Sequence, residues 1–331
     1  MCPRGTLVSA ERIVVGIDEA GYGPRLGPLV VTAALFEAPD SDLEQLLAPA
    51  AVREAANDDA RVVVNDSKKV YRNRTRLAAL EKTSLVFASA ASGRIPRNLG
   101  ELLGDVDART FEWSRCPWYG TAPLELPLPL ALSSQRRERL LESRALLAIT
   151  MERRNVRFLG FRCAVLSAPR FNREILRLGN KSNLLAHQVL NLITGVLDFP
   201  SRRSVQILVD KLGGRNHYAP LLAERFSLAN LITREEGRPR SSYTLRRGGR
   251  DVHVDFVRSG DSLHFPVALA SVFSKYIREI FVFLINAFWT ALDPTLKPTA
   301  GYPQDAGRFL DAIRDRAVSE GIDLEEFQRQ R

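Results

Sequence analysis

Two short apolar runs near the beginning of the chain have the pattern of neighbouring β-strands. Residues 12–17 read RIVVGI, residues 28–36 read PLVVTAALF, and both runs are rich in β-branched side chains. The ten residues between them, DEAGYGPRLG, contain glycine and proline, which favour a turn over a regular element. The pattern therefore predicts two strands joined by a loop, with Asp18 and Glu19 placed where the first strand ends.

Further along the chain, short apolar runs alternate with longer segments of helical periodicity. The apolar runs predict strands at 85–92, 155–167, 204–211 and 253–262, together with a run that meets a polar turn at 61–70. Helical spacing predicts helices over 72–83, 133–154, 183–197, 266–289 and 304–318. Strands that alternate with helices after an initial hairpin indicate a mixed α/β domain.

Two segments show neither the pattern of a strand nor the periodicity of a helix. Residues 92–135 contain five prolines and several large aromatic side chains, which predicts an irregular insertion. Residues 234–250 carry six arginines among glycine, proline and serine, which predicts a loop. That loop either contacts phosphates or is simply solvated, and the sequence leaves both interpretations open.

Composition narrows the class of protein. The 331 residues have a net charge of +9 and a pI of about 9.8, which suits a polyanionic partner but also mere solubility. Three widely spaced cysteines give neither a disulfide framework nor a zinc motif, so we expect a reducing, cytoplasmic location. The apolar segment 280–292 is too short to span a bilayer, which argues against a membrane partner.

Acidic residues close three of the apolar runs, in VVGIDEAG, VQILVDK and FVRSGDS. A carboxylate held at the rim of a sheet is rigid and accessible, and oxygen ligands favour Mg²⁺ or Mn²⁺. Two such ions about 3.5–4 Å apart can clamp a phosphodiester during its displacement. Taken singly, each acid is more often a turn residue than a ligand. Asp18 and Glu19 would share one site only if the chain bends there, because neighbours on a strand point to opposite faces.

Several motifs, in order, resemble those of the ribonuclease HII family. GIDEAGYGPRLGPLVVTAALF is similar to that family's GIDEAGRGPLAGPVVVAA, and NDSKKV, SNLLAHQVLNLITGVL, ILVDK, SGDSLHFPVALASVFSKYIRE and AGYP follow in the family's sequence. The resemblance implies a ribonuclease H-like α/β fold, a mixed sheet flanked by helices. It places the catalytic domain at 12–318, interrupted by an insertion at 92–154 and a long connection at 213–252, with a C-terminal tail at 319–331.

The resemblance also implies an activity: endonucleolytic cleavage of RNA within RNA–DNA hybrids, or at ribonucleotides in duplex DNA, with Mg²⁺ or Mn²⁺. The implied metal ligands and catalytic residues are Asp18, Glu19, Asp210 and Asp261. The implied substrate contacts are Gly21, Tyr22, Gly23, Ser67, Lys68, Lys69 and Tyr302. For Lys68 and Lys69 the ordinary alternative is an exposed lysine in a turn. For Tyr302 it is a tyrosine in the core. We expect a monomer.

The chain departs from the family at several of these positions. Tyr22 replaces the arginine of the family's Gly-Arg-Gly turn, so the preference for an RNA-to-DNA junction is open. Lys211 follows the third acid in place of glycine, and Glu279 replaces an aspartate. Two alternatives therefore stand beside the main hypothesis: a nuclease for long RNA–DNA hybrids without junction preference, and a non-catalytic nucleic-acid-binding protein that retains the fold.

Overall fold

The computed structural model describes residues 11–54, 59–72, 77–104, 116–198, 203–247 and 249–330. Its nine strands are β1 Glu11–Ala20, β2 Leu29–Pro39, β3 Ala51–Val52, β4 Val62–Val63, β5 Arg157–Leu166, β6 Val205–Asp210, β7 Leu231–Glu236, β8 Arg240–Arg247 and β9 Arg250–Val257. Its helices in the first half of the chain are α1 Leu43–Leu47, α2 Ser67–Arg72, α3 Leu77–Ser92, α4 Leu99–Gly104 and α5 Ser134–Arg153. Those in the second half are α6 Ala168–Leu178, α7 Lys181–Leu197, α8 Ala219–Phe226, α9 Gly260–Leu263, α10 Phe265–Leu292, α11 Pro303–Ser319 and α12 Leu324–Phe327.

Seven of the strands form one mixed sheet in the order β5-β2-β1-β6-β9-β8-β7. The three central strands, β1, β6 and β9, run parallel, and the flanking strands pair antiparallel. Helices cover both faces, so the prediction of a mixed sheet flanked by helices is confirmed. The carboxyl ends of the three parallel strands meet at one rim, which is where an α/β sheet commonly carries its site.

Two apolar layers hold the helices to the sheet. One layer includes Val14 of β1 and packs beneath α3, α5 and α10, while the other includes Val15 and packs against α6, α7 and α8. The alternation of Val14 and Val15 between layers follows from the pleat of the strand. No helix within the described ranges is long and apolar enough to cross a membrane.

The long helix α10 lies unusually close to β1 at one glycine. A Cβ built on Gly16 would be 2.0 Å from the carbonyl carbon of Pro266 and 2.2 Å from the amide nitrogen of Val267. Only glycine allows this backbone-to-backbone contact. The first turn of α10 is thereby fixed directly above the strand that carries Asp18.

The arginine-rich segment 234–250 is not a loop, so that prediction was wrong. It forms most of the β7–β8 hairpin, which continues the sheet beyond β9. Tyr243 and Leu245 alternate inward and are buried, whereas Arg240 forms an ion pair with Asp255 on β9. Ion pairs between β8 and β9, Arg240 with Asp255 and Arg246 with Asp251, accommodate two of the arginines within the sheet.

One other local prediction is also wrong. Residues 85–92 are the second half of helix α3 rather than a strand, because this helix is buried on most of its surface and has no polar face. In the run at 61–70, the apolar part contains the two-residue strand β4, which pairs with β3 in a separate small sheet, and α2 begins at Ser67.

The segment 92–154 contributes helices but, in the part that the structure describes, no strand to the large sheet. It is tied to the core through Glu81 of α3, which is completely buried. The backbone N–H groups of Leu130, Ala131 and Leu132 donate to its carboxylate at 2.5, 2.7 and 3.0 Å, and the hydroxyl of Tyr276 donates at 2.9 Å. The domain boundaries remain a prediction.

Candidate active site

Asp18 and Asp210 lie side by side at the rim of the sheet. In the parallel pairing of β1 and β6, Ile17 is opposite Val209, so each acid is the next residue on its strand. The amide of Gly260, in the turn after β9, donates to Asp210 Oδ1 at 2.7 Å. The chain segments that carry three of the predicted acids are therefore adjacent.

The bend predicted at Asp18 and Glu19 does not occur there. Strand β1 continues to Ala20, and Glu19 is paired opposite Val31. The pleat turns Asp18 toward α10, where the hydroxyl of Ser271 hydrogen-bonds to it, while the Glu19 amide donates to Asp18 Oδ1 at 2.7 Å. The two carboxylates nevertheless lie close together: a side-chain hydrogen bond links Glu19 to Asp18, and the charge of Glu19 raises the pKa of Asp18.

Asp261 is not at the end of a strand either. Strand β9 ends at Val257, and the chain turns through Ser259, which has a positive φ of 56°. Asp261 then lies in α9, a single four-residue turn. It remains close enough to Asp210 to raise the pKa of that residue.

Burial and mutual repulsion disfavour the charged forms of all four acids. Burial is the largest cause in each case. It raises the pKa of Asp18 well above its usual value, that of Glu19 to about 7 and that of Asp210 to about 6. The pKa of Asp261 is also raised, by burial and then by the charge of Asp66. Negative charge at this rim is therefore energetically unfavourable, and a bound cation would stabilise it.

Neutralising one of these acids should stabilise the protein at alkaline pH. With pKa values raised in the folded state, the folded protein binds more protons than the unfolded chain between about pH 4 and pH 7. These groups therefore contribute most stability at low pH and lose it as pH rises through their folded pKa values. We expect Glu19→Gln to raise the free energy of unfolding by on the order of 1–3 kcal/mol at pH 8 and by little at pH 4.5.

Urea denaturation at the two pH values measures this difference. Mg²⁺ or Mn²⁺ should raise the melting temperature of the unmodified protein at pH 8 and raise that of the Glu19→Gln protein less. Glu152→Gln, at an exposed position of α5, is the control and should behave as the parent does. Equal stability of the parent and the Glu19→Gln protein at pH 8 would contradict the expectation.

The predicted Ser67–Lys69 turn forms the start of α2 and faces the acids. Ser67 is buried, and Ser271 Oγ donates to its Oγ at 3.0 Å. The exposed Lys68 is near enough to Glu19, Asp210 and Asp261 to lower the pKa of each. Lys69 is exposed, and its amide donates to the Asp66 carbonyl. One cation therefore lies beside the acids on the open side of the rim.

The Gly21–Gly23 turn and Tyr302 are held together by backbone hydrogen bonds. The amides of Arg25 and Leu26 both donate to the carbonyl of Gly301, at 2.8 and 3.2 Å. Gly21 has a φ of 91°, and a Cβ there would be 2.5 Å from the Pro28 carbonyl oxygen. Tyr302 is 49% exposed, so it is not the core tyrosine that was the ordinary alternative.

Tyr22 packs on the beginning of helix α7 rather than projecting freely. Lys181 Nζ lies 4.9 Å from the centre of its ring, and its hydroxyl hydrogen-bonds with Ser182. Burial raises the pKa of this hydroxyl. The ring is half-buried, and one side of it is already occupied by a cation–π contact.

Arg278, for which the sequence predicted no role, lies beneath both turns. Its guanidinium donates to Glu279 Oε1 at 2.6 Å and to the Ala300 carbonyl at 2.9 Å, and lies 5.6 Å from the centre of the Tyr302 ring. Its side chain would contact a Cβ at Gly21. In the sequence, a charged arginine within the apolar pattern of α10 was the feature that could have pointed to this role. Glu279, noted only as a departure, anchors this arginine and Lys275.

The four acidic residues lie near one another, but their carboxylates do not form a complete metal-binding site. Within the part of the chain that the structure describes, no three His, Cys, Asp or Glu side chains are grouped closely enough to hold a metal ion. Asp18 Oδ1 and Asp210 Oδ1 accept backbone hydrogen bonds instead. All four side chains nevertheless supply oxygen, which suits a hard divalent cation.

Comparisons with known proteins give likeness at the level of structures. No protein-family model matches the chain, and neither does any curated protein. Ribonuclease HII of Archaeoglobus fulgidus, solved in complex with PCNA, aligns over 96% of this chain and 94% of its own, with 15% identity and a TM-score of 0.41. Ribonuclease H2 of Pyrococcus horikoshii aligns over 96% and 92%, with 15% identity and a TM-score of 0.42.

Bst-RNase HIII, solved in complex with Mn²⁺, aligns over 98% of this chain and 67% of its own, with 16% identity and a TM-score of 0.41. The chain is thus similar to these ribonucleases over nearly its whole length. With TM-scores below 0.5, neither a residue role nor an activity is transferred from them.

Proposed function

We propose that the protein is a metal-dependent endoribonuclease that cleaves RNA within RNA–DNA hybrids or at ribonucleotides embedded in duplex DNA. The observation that carries the proposal is the meeting of Asp18 and Asp210 on adjacent parallel strands, with Glu19 and Asp261 electrostatically linked to them. The order of sequence motifs supports it. The net charge of +9 is consistent with a nucleic-acid substrate.

The four acids, Asp18, Glu19, Asp210 and Asp261, are the residues that would hold divalent cations. Mg²⁺ or Mn²⁺, when bound, would supply Lewis-acid activation and charge stabilisation for phosphodiester hydrolysis. Because burial raises the pKa of each acid, protons compete with the cations for these oxygens, and cation binding strengthens as the pH rises.

The chain's own groups would position the substrate. Lys68 lies beside three of the acids and can hold a phosphate of the cleaved strand against them. The backbone of Gly21 and Gly23 can approach a ribose 2′-hydroxyl, the group that distinguishes RNA from DNA. Exposed Tyr302, fixed to the same turn through Gly301, can pack against a neighbouring sugar. The products would carry 3′-hydroxyl and 5′-phosphate ends.

Cleavage of three end-labelled duplexes tests the proposal: all-DNA, DNA with one ribonucleotide, and a continuous RNA–DNA hybrid. We expect cleavage of one or both RNA-containing duplexes with Mg²⁺ or Mn²⁺ and none of the all-DNA duplex. Tight binding without cleavage under any divalent cation would favour the non-catalytic alternative. Cleavage of the all-DNA duplex would overturn the requirement for RNA.

The packing of Tyr22 favours the alternative of a nuclease for long hybrids. A tyrosine held by Lys181 and Ser182 cannot make the forked contact that arginine makes with a phosphate or base edge. We expect Tyr22→Arg to raise the ratio of cleavage rates, single ribonucleotide over hybrid, by on the order of tenfold. The cation requirement should not change. Single-turnover rates on both duplexes measure the ratio.

Tyr22→Phe is the matched control, because it removes only the hydroxyl that bonds with Ser182. It should leave the ratio close to that of the parent. If Tyr22→Arg folds normally and the ratio is also unchanged, position 22 does not set junction preference.

A further inference from the structure

A basic cavity lies between the Gly21–Gly23 turn and the C-terminal tail. Its volume is about 330 Å³. Its lining includes Tyr22, Gly23 and three cationic side chains, those of Arg25, Lys181 and Arg329. No described carboxylate lines it. The cavity therefore opens beside the turn that we expect to sense the 2′-hydroxyl.

Arg329 is a buried cation that the protein leaves incompletely satisfied. It is only 4% exposed. One guanidinium nitrogen, Nη2, donates to the Pro24 carbonyl, while Nε and Nη1 have no acceptor. Its guanidinium lies 4.7 Å from the centre of the Phe171 ring. Among the described residues no carboxylate forms an ion pair with it, and its charged neighbour Arg278 repels it.

Such a guanidinium is costly unless an anion accompanies it. Removing a charge from water without a partner costs several kcal/mol, and burial lowers the pKa of Arg329 to about 9. An arginine has two further donors to offer in a planar fork, the geometry that matches a phosphate or carboxylate. A bound anionic group would therefore supply the hydrogen-bond acceptors and the negative charge that Arg329 lacks.

The C-terminal tail holds Arg329 in this place. The side-chain amide of Asn172 donates to the carbonyls of Glu325 and Gln328, and its Oδ1 accepts from the Gln330 amide. The Arg329 amide donates to the carbonyl of Arg25 at 2.9 Å. The tail is thus clamped on both sides of Arg329, and the cation is positioned before any ligand arrives.

Lys181 supplies a second charge from a different element of the fold. It is the first residue of the 17-residue helix α7, whose positive end faces the same space. The described residues provide no ion pair for Lys181; its ammonium group rests over the Tyr22 ring instead. Two cations from different elements consequently face one small volume.

We propose that this cavity binds a phosphate group of the nucleic-acid strand that passes the Gly21–Gly23 turn, with Arg329 and Lys181 as its ligands. The inference rests on the proposed function, since it names a contact of the same substrate. The C-terminal tail then belongs to the substrate-binding surface. It fixes the register of the strand, because a phosphate held beside the turn sets which ribose reaches the turn.

A scan with neutral phosphates tests the proposal. Each phosphate near the single ribonucleotide is replaced in turn by methylphosphonate, and duplex affinity is measured by fluorescence anisotropy in an Asp18→Asn background that blocks cleavage. We expect one position at which the replacement weakens binding about tenfold. In the same background, Arg329→Gln should weaken binding of the normal duplex by a similar factor and abolish the effect of that one replacement.

Three further measurements keep the result unambiguous. Lys181→Gln, at a half-buried position, should lower the salt dependence of log affinity by about one unit, as should Arg329→Gln if it folds. Lys297→Gln, at an exposed lysine outside the cavity, should leave both the salt dependence and the methylphosphonate profile as in the parent. Circular dichroism and thermal melting establish whether Arg329→Gln is folded. If it is not, the Lys181→Gln profile alone decides.

Absence of any position whose effect depends on Arg329 or Lys181 would overturn the proposal. Stabilisation by inorganic phosphate at constant ionic strength, lost in the variants but without such a position, would assign the cavity to a free phosphate and overturn the strand contact. Failure of the proposed function is a separate result. A parent protein that shows the coupled position yet cleaves neither RNA-containing duplex would refute the nuclease activity and leave the phosphate contact standing.

Discussion

Replacing Asp18 or Asp261 by asparagine should reduce cleavage of an RNA-containing duplex by at least about 10³-fold. Each substitution removes one negative charge and one cation ligand while keeping the size of the side chain. Duplex affinity should stay within a few-fold of the parent, since Lys68, Arg329 and Lys181 are untouched. Single-turnover cleavage and anisotropy on the same duplex separate the two effects.

Asp251→Asn is the matched control for this pair. Asp251 is an exposed acid on β9, where it forms an ion pair with Arg246. Its replacement should leave cleavage unchanged. Because the pKa of Asp18 is raised by burial and by its neighbours, Asp18→Asn should also melt no lower than the parent. A folded Asp18→Asn protein with parental turnover would remove Asp18 from the site.

Gly16→Ala should destabilise the protein strongly, although it adds only one methyl group. The added Cβ would lie 2.0–2.3 Å from backbone atoms of Pro266 and Val267. No rotamer change can relieve a clash between two backbones, so β1 and α10 must separate. We expect a loss of at least about 3 kcal/mol in the free energy of unfolding, the upper part of the range for overpacking. Urea denaturation measures it.

Gly307→Ala is the control, and it should have the opposite sign. Gly307 lies inside helix α11, and a Cβ there would meet nothing within 4 Å. Alanine in a helix interior is better than glycine by roughly 0.5–1 kcal/mol, so this variant should be slightly more stable than the parent. A Gly16→Ala protein of parental stability would show that α10 is free to move off the sheet.

Predictions from the sequence were most accurate where a single local factor determined the structure. Continuous runs of β-branched residues predicted β1 and β2, and the apolar periodicity over 266–289 predicted most of α10. Acids at the ends of apolar runs predicted which segments would meet at the rim. Asp18 and Asp210 are adjacent because their strands are neighbours and parallel, which the sequence did not predict.

The remaining features depend on contacts between distant segments. The β7–β8 hairpin pairs with β9, where Asp255 forms an ion pair with Arg240, and nothing local in an arginine-rich segment indicates that partner. Residues 85–92 are helical because helix α3 is buried from several directions, which removes the polar face that periodicity needs. The position of Arg329 depends on Asn172, which lies far earlier in the chain, and no spacing in the sequence could relate them.

The burial of Glu81 has a consequence for how far this chain can be shortened. Three of the four hydrogen bonds that satisfy its carboxylate come from residues 130–132, inside the segment that looked dispensable. A version trimmed of 92–154 would lose these three donors together with helix α5, which packs on α3, and Tyr276 would be the remaining described donor to Glu81. A minimal domain therefore requires a substitution at position 81 as well as the deletion.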